Sequence, residues 1–164
     1  MNRRKLNQAD KLLRLAHLRE ELATRAVSAA RGVVAQRIEE HQDSIRLADE
    51  LSREQAERRD ALRNPMIGSA QLRGALEAVL NTFQGDRQRE ADAQAAIAAA
   101  AQRVTEAEAQ LDEARKALAR AGRLCEKRRR MREPLAEALA YAIDRRDELE
   151  AEERRSLVLF GGRG

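Results

Sequence analysis

The sequence contains few of the residues that build an ordinary globular core. Aromatic residues make up 2% of the 164 residues, and tryptophan is absent. Compact cores depend on aromatic and branched side chains, whereas alanine supplies much of the apolar content here. Charged residues reach 37%. A highly charged, aromatic-poor chain rich in good helix formers is typical of long, mostly solvated helices.

Cysteine and long apolar runs are equally scarce. The single cysteine, Cys125, excludes a disulfide within the chain and fits a reducing compartment. No run approaches the roughly 20 apolar residues that a membrane span needs. The basic start, residues 1–8, lacks the apolar stretch of a secretory signal. We therefore expect a cytoplasmic protein.

Motifs for catalysis are missing as well. There is no glycine-rich phosphate loop. His17 and His41 lie too far apart on one helix to share a metal, and Cys125 has no partner ligand in the sequence. Two paired helices offer no cleft in which a carboxylate could be desolvated. We expect no enzymatic activity, no metal, no cofactor and no small-molecule substrate.

The charges of both signs are interleaved along most of the chain. The net charge is +4, from 32 basic and 28 acidic residues. One cluster of positive residues, here called the basic patch, stands out. It is either a solvated helix face balanced by opposing glutamates or a docking surface for an acidic partner or nucleic acid, and the first interpretation is favoured. The basic patch consists of Lys127, Arg128, Arg129, Arg130 and Arg132.

The strongest pattern is an apolar ladder in the second half of the chain. Its steps alternate between three and four residues, which is the pattern of a coiled-coil seam. Every second rung is alanine, which lets two backbones approach closely and predicts tight antiparallel pairing. The same frame continues, with arginine interruptions, to Leu149. The rungs are Ile97, Ala100, Val104, Ala107, Leu111, Ala114, Leu118, Ala121 and Cys125.

The first half of the chain has a weaker stripe, whose register the sequence alone does not assign. It predicts one helix over residues 4–63. The apolar residues that we assign to this stripe are Leu15, Leu18, Leu22, Ala26, Ala29 and Val33, followed less regularly by Ile38, Ile45, Ala48 and Leu51.

Two breaks divide the helical patterns. Pro65 cannot continue a helix and pushes Asn64 away from helical geometry. Ser69 is a candidate N-cap for a short helix over 70–83. Gly85 is a candidate stop for that helix, and Asp86 is a candidate N-cap for the next one.

The predicted fold is all-α, a long antiparallel two-helix coiled-coil hairpin with a short helical tip. Residues 1–155 form a single domain, with helix one over 4–63, the tip over 64–85 and helix two over 86–154. Pro134 should kink helix two. Residues 156–164 are expected to be a flexible apolar and glycine-rich tail.

The predicted boundaries fix an expected register. Facing residue numbers should add up to about 149 if helix one ends at 63 and helix two begins near 86. This register places residues 127–130 opposite Glu20 and Glu21, and residues 3–5 beside Asp144 and Asp147.

One α-hairpin with a short apolar insert at its turn resembles the central stalk proteins of type III secretion systems. This is the FliJ/YscO family, with its SctO/HrpB-type members. The resemblance covers residues 4–155 and rests on the ladder over 97–125, the turn region from Asn64-Pro65 to Gly85-Asp86, and the chain size.

The resemblance implies a non-catalytic stalk or adaptor that links the hexameric secretion ATPase to the export gate and stimulates ATP hydrolysis. Secretion chaperones are further implied partners, and the inner face of the cytoplasmic membrane is the implied location. By position, the ATPase end would comprise Arg3, Arg4, Lys5, Arg145, Arg146, Leu157, Val158, Leu159 and Phe160. The export-gate end would comprise Met66, Ile67, Leu72, Leu76, Leu80 and Phe83.

Two alternatives stay open. One is a nucleic-acid-associated coiled coil that uses the basic patch, although nucleic acid is not the favoured partner. The other is a stator or chaperone-like protein that holds clients at the apolar tip.

Overall fold

The computed structural model describes residues 2–66 and 73–161, and these residues are helical throughout. Helix α1 spans Asn2–Arg63, a short 3-10 helix spans Asn64–Met66, and helix α2 spans Arg73–Gly161. Helix α1 ends before Pro65 because proline has no amide hydrogen and disfavours helical geometry in the residue before it. The predicted cap Ser69 and the last residues of the tail, 162–164, lie outside the described residues.

The two long helices pack against each other, and the prediction of an all-α antiparallel hairpin is confirmed. The chain divides into two compact units. The terminal unit comprises Met1–Val27 and Ala114–Gly164, and the turn unit comprises Ser28–Glu113. Each unit contains one stretch of α1 and one stretch of α2.

In the terminal unit, α1 and α2 run in opposite directions. Arg132 pairs with Asp10, and Cys125 contacts His17 farther along α1. Ala16 is 2% exposed, and Cys125 is 3% exposed. Small side chains such as these let the helix backbones approach closely, as the alternating pattern predicts. The α1 residues that line this interface are Leu6, Ala9, Leu13, Ala16, Glu20, Ala23 and Val27.

In the turn unit, the interface contains a buried polar layer. The side chains of Gln55 and Asp86 are fully buried. The Gln55 amide donates to the backbone carbonyl of Asp86 at 3.2 Å. Arg58 and Arg89 both donate to Asp86 Oδ1, at 3.0 and 3.1 Å. Buried polar layers of this kind fix which residues face each other in a coiled coil.

The α2 ladder predicted from the sequence forms the interface in both units. All nine rungs from Ile97 to Cys125 are buried or half-buried, and the frame extends from Val79 to Leu139. Beyond Leu139 the predicted continuation is wrong, since residues 140–161 are all exposed.

Most of the α1 stripe predicted from the sequence is not the interface. Its residues up to Ile45 are exposed, among them Leu15, Leu18, Leu22 and Val33, whereas Ala48 and Leu51 belong to the interface. Up to Val34 the true seam lies one or two positions further along the chain than the stripe, and beyond it lies one position earlier, with the same three-and-four spacing. It contains several polar residues, which hide it in the sequence. Beyond Val27 its members are Ala30, Val34, Arg37, His41, Ser44, Ala48, Leu51, Gln55, Arg58 and Leu62.

Helix α2 begins at Arg73 and passes through Gly85 and Pro134 without a break. The predicted tip over 64–85 and the predicted start of helix two at 86 therefore differ from the structure. Gly85 does not adopt a left-handed conformation. Because Asp86 is anchored at the interface, the roughly 1 kcal/mol that a glycine costs within a helix is offset. Residues 156–161 continue the helix where a flexible tail was expected.

The observed register differs from the expected one by one heptad. In the terminal unit, facing residue numbers add up to 142 for Asp10 with Arg132 and for His17 with Cys125. The expected sum of about 149 was wrong because it assumed that helix two begins near residue 86.

Candidate functional site

The predicted ATPase-end residues lie in the terminal unit, some at the start of α1 and the others near the end of α2. Arg3, Arg4 and Lys5 are exposed on the first turns of α1. Arg146 is also exposed and pairs with Glu150 on its own helix at 3.1 Å. The register places Asn2 opposite residue 140, so residues 141–161 face no residue of the described part of α1.

The last turns of α2 carry the most exposed apolar side chains of the terminal unit. The exposed fraction rises from 71% at Leu157 to 84% at Phe160. Val158 and Leu159 lie between these values, so all four predicted apolar contacts are available to a partner.

Of the predicted gate-end residues, Leu76, Leu80 and Phe83 lie on one face of α2 and differ in exposure. Phe83 is half-buried in the interface, whereas Leu76 and Leu80 are about half exposed, at 48% and 52%. The side chain of Met66, together with Ile67 and Leu72, lies outside what the structure describes.

The basic patch is partly compensated by carboxylates. Arg129 and Arg130 pair with Glu126 on the same helix, at 3.4 and 3.0 Å. Arg132 pairs across the interface with Asp10. The expected compensation by Glu20 and Glu21 was wrong because the register differs by one heptad. These ion pairs favour the interpretation of the patch as a solvated helix face.

A second polar cluster lies inside the terminal unit, where His17, Glu20 and Cys125 meet. His17 and Glu20 are three residues apart and therefore share one face of α1. His17 Nδ1 lies 3.2 Å from Cys125 Sγ and 4.0 Å from Glu20 Oε2. The three ligand atoms all lie within 4.8 Å of one another. Imidazole, carboxylate and thiol groups thus converge on one point.

Gly122 lies beside this cluster on the α2 side. A Cβ atom at Gly122 would lie 3.5 Å from Glu20 Oε1, an ordinary van der Waals distance, so alanine would also fit there. The Glu20 carboxylate therefore lies close over the backbone of α2, one turn before Cys125. This position holds the carboxylate beside the thiol.

The electrostatics of the cluster keep the thiol protonated. Burial raises the pKa of Cys125, and the hydrogen bond and negative charge of Glu20 raise it further. Glu126 acts in the same direction, whereas Arg129 lowers the pKa. A thiol with a raised pKa and 3% exposure is a poor nucleophile.

The ring orientation also disfavours a catalytic relay. In a nucleophile–histidine–carboxylate relay, opposite ring nitrogens contact the nucleophile and the carboxylate. Here the same atom, His17 Nδ1, lies nearest to both groups, since Nε2 is 3.9 Å from Cys125 Sγ. Convergence on one point suits a shared cation better than proton transfer.

The sequence interpretation missed this cluster because it paired Cys125 with the wrong part of α1. A signal was available, since alanine recurs every seven residues at 9, 16, 23 and 30 and again at 93, 100, 107, 114 and 121. These two alanine series mark the first part of the α1 seam, but series that repeat every seven residues match equally well at every heptad shift and do not pair His17 with Cys125 by themselves.

Comparisons with protein-family models, curated proteins and solved structures found no match to this chain. Within residues 2–66 and 73–161, no helix has the length and apolar character needed to cross a membrane.

Proposed function

We propose that this chain is a non-catalytic stalk or adaptor of a type III secretion export apparatus. It binds the hexameric secretion ATPase through the start of α1 and the end of α2, stimulates ATP hydrolysis and contacts the export gate with the tip, residues 66–83. Secretion chaperones are further proposed partners. The proposed location is the cytoplasm, at the inner face of the cytoplasmic membrane.

The exposed end of α2 is the observation that carries this proposal. Residues 141–161 are helical and exposed on every face, and four consecutive apolar side chains lie at the end. An exposed helix with concentrated apolar residues is a recognition element that inserts into a groove or channel of a partner. The family resemblance assigns this end to the ATPase pore.

The nucleic-acid alternative has weaker support. Arg129, Arg130 and Arg132 already pair with carboxylates, so phosphates would have to compete with these ion pairs. Their positive charge is therefore only partly available for phosphate contacts.

The test measures ATP hydrolysis by the secretion ATPase of the same host as the purified chain is added. We expect stimulation by the wild type and its loss in the double variant Leu157→Ser/Phe160→Ser. Leu47→Ser is the matched control, because Leu47 is 65% exposed but lies on α1.

Two results would contradict the proposal: no change in hydrolysis with the wild-type chain, or equal losses in the double variant and in Leu47→Ser. Helicity by circular dichroism should be the same in all three proteins. A pull-down from host lysate should recover the ATPase with the wild type and not with the double variant.

A further inference from the structure

We propose that His17, Glu20 and Cys125 bind one divalent transition-metal ion of the zinc class, which joins α1 to α2 within the terminal unit. This inference is independent of the stalk function, because it rests on the interface and not on the exposed end of α2.

The distances within the cluster suit such an ion. Zinc binds thiolate, imidazole and carboxylate groups with bonds of about 2.0–2.3 Å, so ligand atoms around a tetrahedral ion lie about 3.4–3.6 Å apart. The separations from His17 Nδ1 are 3.2 Å to Cys125 Sγ and 4.0 Å to Glu20 Oε2. All three ligand atoms lie within 4.8 Å of one another, and a bound ion would require rotations of the partly exposed His17 and Glu20 side chains toward it.

The donor set selects the class of metal. A thiolate excludes calcium and magnesium, which require oxygen ligands, and a mixed sulfur, nitrogen and oxygen set favours zinc or cobalt. One thiolate and one carboxylate together neutralise the double charge of the cation. Three protein ligands leave a fourth position for water.

The placement of the three groups supports a bound ion over chance proximity. Glu20 and Cys125 occupy interface positions where alanine and leucine fill neighbouring layers. A carboxylate here faces a thiol across the helix pair, close to the α2 backbone at Gly122. A cation would replace the thiol proton and join all three groups.

The first experiment uses cobalt as a spectroscopic probe. Co²⁺ is titrated into the reduced full-length chain, and the thiolate-to-cobalt charge-transfer absorption is recorded. We expect one equivalent to bind and Zn²⁺ to displace it. Cys125→Ser should abolish the band, and His17→Gln and Glu20→Gln should each weaken binding at least tenfold.

The matched control is His41→Gln. His41 is the other histidine of the chain and is likewise half-buried at the α1 seam, but it lies in the turn unit. This variant should bind cobalt as tightly as the wild type. Circular dichroism of each variant confirms that the helices are retained.

A second measurement needs no variant. X-ray absorption of the zinc-loaded wild type should show one sulfur ligand with nitrogen and oxygen ligands completing the shell. Absence of the charge-transfer band in the wild type would overturn the proposal. A band that persists unchanged in both His17→Gln and Glu20→Gln would also overturn it, because the thiol would then bind the ion without the cluster.

Discussion

Replacing Asp86 with alanine should destabilise the protein far more than removing a comparable surface carboxylate. Asp86 is fully buried and accepts from the guanidinium groups of Arg58 and Arg89, at 3.0 and 3.1 Å. A third arginine, Arg59, lies 3.9 Å from Oδ2. The substitution removes the carboxylate that all three arginines share.

The expected loss follows from the exposure of the partners. Hydrogen bonds to charged groups contribute roughly 1.5–3 kcal/mol each, and breaking a fully buried ion pair costs about 3–5 kcal/mol. The side chains of Arg58 and Arg89 are 40% and 58% exposed, so water solvates them once Asp86 is gone. Removing the carboxylate also removes its own desolvation cost. We expect a net loss of about 1–3 kcal/mol in the free energy of unfolding.

Glu126→Ala is the matched control. Glu126 also pairs with two arginines, at 3.4 and 3.0 Å, but its side chain is 46% exposed. Exposed ion pairs contribute about 0–1 kcal/mol, so this variant should lose much less stability. Urea unfolding followed by circular dichroism measures both, with the denaturant slope as a check that the unfolded state is unchanged.

Equal losses in Asp86→Ala and Glu126→Ala would refute the reasoning, because burial of Asp86 would then have no energetic effect. The paired apolar variant Gln55→Leu/Asp86→Leu adds a sharper test. The two leucines fill the buried layer with apolar side chains, whereas the partly exposed arginines lose the carboxylate and are solvated instead. This variant should therefore lose less stability than Asp86→Ala.

Three further changes have defined outcomes in the same urea assay. Gly85→Ala should raise the free energy of unfolding by about 0.5–1 kcal/mol, since the glycine is helical with nothing near a Cβ atom; a loss would instead indicate a helix stop. Leu111 is 8% exposed, so Leu111→Ala should lower the free energy of unfolding by about 2–3 kcal/mol. Leu22 is 61% exposed, so Leu22→Ala should lower it by less than about 0.5 kcal/mol. Similar losses in the two variants would contradict the assigned seam. Burial raises the pKa of Cys125 above its ordinary value of 9.0, so the unfolded state loses this proton first and stability should fall as pH rises past about 9. Cys125→Ser should remove the loss of stability above about pH 9 that is due to the thiol. An unchanged dependence of stability on pH in this variant would disprove the role of Cys125.

The α2 interface was predictable because its rungs are almost all apolar. Ile97 to Cys125 repeat without a fault, and hydrophobic periodicity is the strongest signal in a single sequence. Beyond Val34 the α1 seam was not predictable from apolar spacing, since Arg37, His41 and Gln55 occupy seam positions. Leucines on the exposed face gave a competing stripe of equal period.

The error in α2's start has a different cause. Gly85 followed by Asp86 resembles a stop and a cap, but Asp86 forms tertiary ion pairs instead. Local preferences of about 1 kcal/mol yield to such contacts. The shifted start then moved the expected register by one heptad and separated Cys125 from His17. A site formed by residues of two helices is therefore not predicted when the seam of either helix is assigned wrongly.

The end of α2 also has a consequence for dynamics. Most helical stability in proteins comes from packing, and residues 141–161 face no described residue of α1; the ion pairs of Glu150 with Arg146 and Arg154 support them locally. Their amide hydrogens should exchange with solvent much faster than those around Leu111. Binding would slow this exchange and convert a fraying helix into an ordered one. The ordering entropy weakens the affinity of the complex but favours rapid release and rebinding.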